Sequence, residues 1–322
     1  MLEYKLRYYE LRYIQLIKND LKNYIVTAII AVILTVVSAN ISGIIGLIFL
    51  AYTAALVGYS VTKHHYGYVV LLCGLIAAVF GLFGRSFVAL LSALPVILCG
   101  ISLGISCNLK FSQFKTLFIV TCVYVLYMVI NMKLSGIALN FSSMLTEVIS
   151  SGYPLYEGTI SQTDYNAIAS ELLSVFLKFM PAFIIIFCMC YGILLLLAFK
   201  SVLKKSKSEF SDFISLSQWH ADKNFGISFL VLMGISLILP AENIFADAIV
   251  NVALVSSFIF FMFGFSLLAY ILKKRAKNPT SGKIIAVVIL AVSVIFIGFP
   301  FMILSVMGVM DSFVNYREKF KQ

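Results

Sequence analysis

The side chains able to do chemistry are few, and their placement says more than their number. The 14 acidic residues are Glu3, Glu10, Asp20, Glu147, Glu157, Asp164, Glu171, Glu209, Asp212, Asp222, Glu242, Asp247, Asp311 and Glu318, and none stands at the middle of an apolar run. Proton-coupled pumps and exchangers need an ionisable group at membrane depth, so that class loses its central residue. Of the 3 histidines, His64 and His65 are adjacent beside Lys63, and His220 lies far along the chain. Two histidines next to a lysine read first as a solvated turn, although histidine is the side chain that titrates near neutrality. No HExxH, GxGxxG or GxxxxGKS/T is present, which removes the metalloprotease, dinucleotide and nucleotide-driven readings together. An intramembrane serine hydrolase would pair its serine with a histidine from another span, and no apolar run holds one. The expectation is a protein that is not an enzyme, with no catalytic residue, metal or cofactor. The 6 cysteines, Cys73, Cys99, Cys107, Cys122, Cys188 and Cys190, all lie in apolar runs, where they behave as small hydrophobes and stay as free thiols. Cys188 and Cys190 are two apart, point to different faces of a helix and make a poor ligand pair.

What remains inside the apolar runs is uncharged. Tyr52, Tyr59, Tyr124, Tyr127 and Asn131, with Asn251 in a later run, form the candidate ligand-binding set, and such groups suit a small uncharged or aromatic solute. Gly100-Ile-Ser-Leu-Gly104 is a GxxxG, a spacing that lets helix backbones approach, and Pro95 precedes it. Pro181 and Pro300 repeat the proline device; a proline within a span frees backbone groups that a neighbour must satisfy or that line a cavity.

These residues sit in elements that composition defines. The 322 residues are 61% hydrophobic and only 12% charged, with a mean hydropathy of +1.03, far from the roughly 25% charge of a soluble domain. Continuous rather than alternating apolar stretches exclude a barrel. The chain is all-α: a polytopic transmembrane helix bundle of about nine spans, between roughly eight and ten, at ~20 residues per span. The runs are 24–37, 41–61, 67–83, 86–107, 113–131, 173–199, 225–240, 248–271 and 284–310. Residues 1–22 carry apolar and charged faces at helical spacing and are expected to be an amphipathic interfacial helix. Val37-Ser38-Ala39 resembles a signal-peptidase site, but a long leader holding Glu3, Glu10 and Asp20 does not resemble a short basic one. The remaining organisation is a first membrane bundle over 23–131, an external loop over 132–172 and a second membrane part over 173–322. The loop is polar and mildly acidic, either a lid over the bundle or an ordinary connection.

The net charge of +10 is read as topology and not as a nucleic-acid surface. With the N-terminus inside, Lys5 to Lys22, Lys63, Lys110, Lys115, Lys200 to Lys223 and Lys273 to Lys283 fall on the cytoplasmic side, against Arg85, Lys133 and Lys178 outside. Nine crossings carry Arg317, Lys319 and Lys321 outside, against that count; a bend at Pro300 that folds the last segment back is the alternative. If that segment stays helical, Asp311 and Arg317 point about 240° apart and do not pair.

In the second half, Leu177-Lys-Phe-Met-Pro181 opens a span ending at Lys200 to Lys207. Phe213-Ile-Ser-Leu-Ser-Gln-Trp219 follows, then Asn251 and Phe258 to Tyr270 around Gly264, and the chain closes with Gly308-Val-Met-Asp311 and Arg317. This pattern resembles the YybS-like family of uncharacterised bacterial integral membrane proteins. The family follows its tryptophan with a basic residue and Leu-Pro, where this chain has His220 and Ala221. The family is similar, distantly, to the membrane-embedded substrate-binding components of energy-coupling factor transporters. The resemblance implies a multi-pass cell-membrane protein that binds a small solute and pairs with a membrane coupling subunit through small residues of an early helix. Ala51-Tyr-Thr-Ala-Ala55 is one such spacing.

Two readings follow, a solute-binding transport component lacking its own energy-coupling site and a non-transporting membrane scaffold or assembly factor. The charge distribution makes the first testable expectation. A cysteine placed at Ser151 reacts with an impermeant thiol reagent added outside cells, and one placed at Ser206 does not; the reverse labelling contradicts the orientation.

Overall fold

The computed structural model describes residues 2–41, 43–64, 66–84, 91–134, 147, 151, 161–205, 219–239, 244–275 and 299–319, with side chains from residue 21 onward except at 84, 275 and 299. Among them every regular element is a helix. These are α1 (Leu2–Asn40), α2 (Gly43–Lys63), α3 (Tyr66–Gly84), α4 (Leu94–Asn108), α5 (Gln113–Leu134), α6 (Gln162–Lys205), α7 (Lys223–Ile238), α8 (Ile244–Arg275), α9 (Phe299–Val314) and α10 (Tyr316–Lys319). Six helices are long and apolar enough to cross a membrane, and Leu94–Asn108, Lys223–Ile238 and Pro300–Val314 are shorter apolar helices. The amphipathic stretch at 1–22 and the first span form one backbone helix without a break. Most of the loop over 132–172 lies outside the described residues, as does the start of the run over 284–310.

Of Pro95, Pro181 and Pro300, the first and last lie near the start of a described helix. Pro95 lies in the first turn of α4, a position where a missing N–H has no helical partner to lose, and Pro300 is the second residue of α9. Among the described residues, Pro181 alone stands inside a helix.

The chain divides into two compact units, Met1–Phe141 with Phe187–Phe213, and Ser142–Ile186 with Ile214–Gln322, the division falling within α6. In the first unit, Gly100 and Gly104 of α4 face Ala54, Val57, Gly58 and Val61 of α2. A methyl on Gly100 would stand 2.6 Å from the Ala54 carbonyl oxygen, and one on Gly104 would stand 2.7 Å from that of Gly58. Pairing 54 with 100 and 58 with 104 makes α2 and α4 parallel, and Asn108 Nδ2 keeps that register by donating to the Val61 carbonyl at 3.4 Å. Ala51 and Ala55 are 1% and 0% exposed, so this small-residue face is spent inside the unit.

The second unit is built along α8. Gly264 of α8 and Gly308 of α9 meet backbone to backbone: a methyl on Gly264 would fall on the Leu304 carbonyl, and one on Gly308 on the Phe260 carbonyl. Ser305 Oγ donates to the Ser257 carbonyl at 3.2 Å, and Tyr270 Oη reaches Arg317, so contacts advance together and the helices are parallel. α7 runs the other way, with Phe225 and Phe229 packed on Phe260 at centroid separations of 5.1 and 4.7 Å. The end of α9 lies with the end of α8 and the start of α7.

The glycine contact predicts a contrast. Gly264→Ala lowers the stability of the detergent-solubilised protein by about 2 kcal/mol or more, because carbonyl and methyl cannot share the space. Gly74→Ala on α3, with no atom within 4 Å of the added methyl, shifts it by less than about 1 kcal/mol. Equal melting shifts for the two variants contradict the close approach.

Candidate functional site

Three polar groupings among the described residues bear on a candidate site. The most deeply buried is made where α9 ends. Val314 is the last residue of α9, and Asn315 takes φ +46°, the left-handed conformation that asparagine tolerates better than most residues. The Asp311 carboxylate holds the new direction, its Oδ1 accepting the Tyr316 N–H at 3.1 Å. The turn brings Arg317 back over Asp311, with Nε 3.1 Å from Oδ2 and side chains 9% and 1% exposed. The expected separation of the two assumed a continuous helix; the break at Asn315 overturns it. Arg317 Nη2 also donates to the Trp219 carbonyl and, at 3.0 Å, to Ser266 Oγ, which itself donates to Trp219 at 2.8 Å. Tyr270 Oη donates to the Arg317 carbonyl at 3.3 Å, and its ring centroid lies 6.0 Å from the guanidinium. Each charge is thus met by its opposite and by further hydrogen bonds, the condition under which a buried pair is tolerated. Trp219, Gly264, Gly308, Asp311 and Arg317, distant in sequence, belong to one corner of one unit. Ser266 and Tyr270 complete it; a serine and a tyrosine in an apolar run gave no sign of that role.

The second grouping explains the one interior proline. Pro181 cannot donate, and the turn around it opens. Asn251 of α8 enters the opening: its Oδ1 accepts the Ala182 N–H at 3.0 Å and its Nδ2 donates to the Lys178 carbonyl at 2.9 Å. In a regular helix those two backbone groups bond to each other. The second amide hydrogen goes to the Asp247 carbonyl at 2.8 Å, and Lys178 Nζ lies 2.5 Å from Asp247 Oδ1. Asn251 therefore replaces the backbone bond that the proline opened, and its amide hydrogens are occupied.

The third grouping lies in the first unit. Tyr124 of α5 is buried and stacks on Tyr191 of α6 at 4.5 Å, with Tyr127 at 6.0 Å and Phe187 at 6.4 Å. One turn before Tyr124, the Thr121 hydroxyl is buried without a hydrogen-bond partner among the described residues. Gly192 packs close against it, since a methyl there would stand 3.3 Å from Thr121 Oγ and 2.9 Å from Leu117 Cδ1. The six residues expected to share a binding site are thus dispersed. Tyr124 and Tyr127 stay together, and Asn131 is farther along α5 and half-buried. Tyr59 presents its ring to His64 at 6.0 Å, Tyr52 is 37% exposed, and Asn251 serves the helix in the other unit. Tyr191, Phe187, Thr121 and Gly192 were not singled out from the sequence, because nothing in an apolar run tells which face meets a neighbour.

Long apolar helices held by buried polar clamps and glycine contacts define a polytopic helical membrane protein. The chain belongs to the family described as predicted membrane protein (DUF2232), which matches residues 26–312 and so includes Trp219, Gly264, Gly308 and Asp311. No curated protein and no solved structure matches the chain.

The ion pair predicts non-additive energetics. Asp311→Ala or Arg317→Ala alone costs about 3 kcal/mol or more, since each strands a buried charge, and the double variant costs less than the sum by at least about 1 kcal/mol. Thermal unfolding in detergent measures all three; simple additivity contradicts the pairing.

Proposed function

We propose that the protein is a membrane-embedded binding component for a small, uncharged, largely aromatic solute, seated at Tyr124, Tyr127, Tyr191 and Thr121, and that other membrane subunits move it. The observation that carries the reading is the buried Thr121 hydroxyl without a described partner, beside stacked tyrosines and the side-chain-free Gly192. An unpaired hydroxyl in an apolar interior is costly, and a ligand carbonyl or hydroxyl reaching it recovers that cost while the rings supply apolar contact. No acidic residue occurs between Asp20 and Glu147, which suits an uncharged solute. The YybS-like resemblance and its distant likeness to energy-coupling substrate-binding components support binding rather than catalysis, in a cell membrane with the N-terminus cytoplasmic. Because Ala51 and Ala55 pack within the first unit, a coupling subunit would use another face.

The scaffold reading has its own observation: Asn251, Asp311 and Arg317, three polar groups turned inward in the second unit, are engaged in internal contacts. A thermal-shift screen of the purified protein against vitamins, nucleobases and aromatic metabolites separates the two. A ligand at 100 times its dissociation constant adds about 2.7 kcal/mol, and Thr121→Val and Gly192→Ala abolish the response while leaving the protein folded. A silent panel, or a response unchanged in both variants, favours the scaffold.

A further inference from the structure

The connection between α4 and α5 joins charge to an apolar groove. α4 ends in a reversal in which Lys110, at φ +54°, donates its N–H to the Cys107 carbonyl at 2.9 Å and Phe111 donates to the Ser106 carbonyl at 3.0 Å. Glycine is the usual occupant of this left-handed position at a helix end; here a lysine takes it. Phe111, Phe114, Lys115, Phe118 and Ile119 line an open groove of about 310 Å³. Phe111, Phe114 and Phe118 are exposed, as are Lys110 and Lys115. An exposed phenylalanine face on a helix apolar enough to cross a membrane meets lipid rather than water.

Among the described side chains of this unit the charge has no answer. Those side chains begin at residue 21, and neither residues 21–141 nor residues 187–205 contain an aspartate or glutamate. Lys110 and Lys115 have no ion pair among the described residues. A positive pair beside an apolar groove, in a unit that supplies no described acidic side chain, matches a molecule carrying an anionic head and a hydrocarbon chain. We infer that an anionic phospholipid occupies this groove, its acyl chain along Phe111, Phe114, Phe118 and Ile119 and its acidic headgroup at Lys110 and Lys115. The assignment is independent of the solute site, which lies on other residues.

Native mass spectrometry of the full-length protein, released from nanodiscs of mixed phosphatidylglycerol and phosphatidylcholine, tests it. The wild-type protein retains phosphatidylglycerol in preference to phosphatidylcholine. Lys110→Gln with Lys115→Gln reduces that preference about thirty-fold, the loss of two headgroup contacts. Lys110→Arg with Lys115→Arg preserves it, which separates charge from folding. Phe114→Ala with Phe118→Ala lowers retention of the anionic lipid, and Lys204→Gln with Lys205→Gln, away from the groove in sequence, leaves it unchanged. Absence of a wild-type preference, its persistence in the double glutamine variant, or an equal loss at Lys204 and Lys205 would overturn the inference.

Discussion

Inside a membrane, apolar side chains gain little by leaving lipid for one another, so a chain of this composition cannot hold its helices together by hydrophobic burial alone. Backbone approach supplies what burial does not. Gly264 meets Gly308, and Gly100 and Gly104 meet the Ala54 to Val61 face of α2, each at distances that a side chain would forbid. Dispersion and carbonyl dipoles at such contacts act over many atom pairs and fix one register. In the second unit that register is what carries Arg317 to the end of α8, and so what allows the buried ion pair to form.

Polar side chains then serve as local substitutes for the missing solvent. Asn251 stands in for a hydrogen bond between Lys178 and Ala182, and Asp311 caps the turn after Asn315 before neutralising Arg317. Both are cases of one rule: an opened backbone group at membrane depth has to be met by protein, because water is absent. Interior polar residues were candidates for solute recognition for the same reason that they serve structure, namely that an apolar environment magnifies every hydrogen bond. Where both hydrogens of an amide are taken, as at Asn251, the structural role accounts for the residue. Thr121 is different, since nothing described meets it.

The two units differ in charge as well as in packing. The second pairs four of its charges internally, Arg317 with Asp311 and Lys178 with Asp247. The first has, beyond residue 20, lysines and no described acid. Its lysines beyond residue 20 are therefore the ones to which an anionic lipid headgroup is attracted at a membrane surface.

The helical class and the positions of most apolar runs followed from the sequence alone, because ~20 consecutive apolar residues satisfy their own backbone and need no partner to be recognised. Gly100 and Gly104 were legible as a contact for the same local reason, their spacing being set by one helix. Three things were decided only in the folded chain. Asp311 and Arg317 pair because one asparagine leaves the helix; Pro95 begins a helix instead of bending one; Tyr124 finds Tyr191 across two elements. Each depends on where a helix stops or on which face it turns to a neighbour. In a nearly uniform apolar sequence, periodicity carries almost no signal for either, so the contacts themselves have to choose.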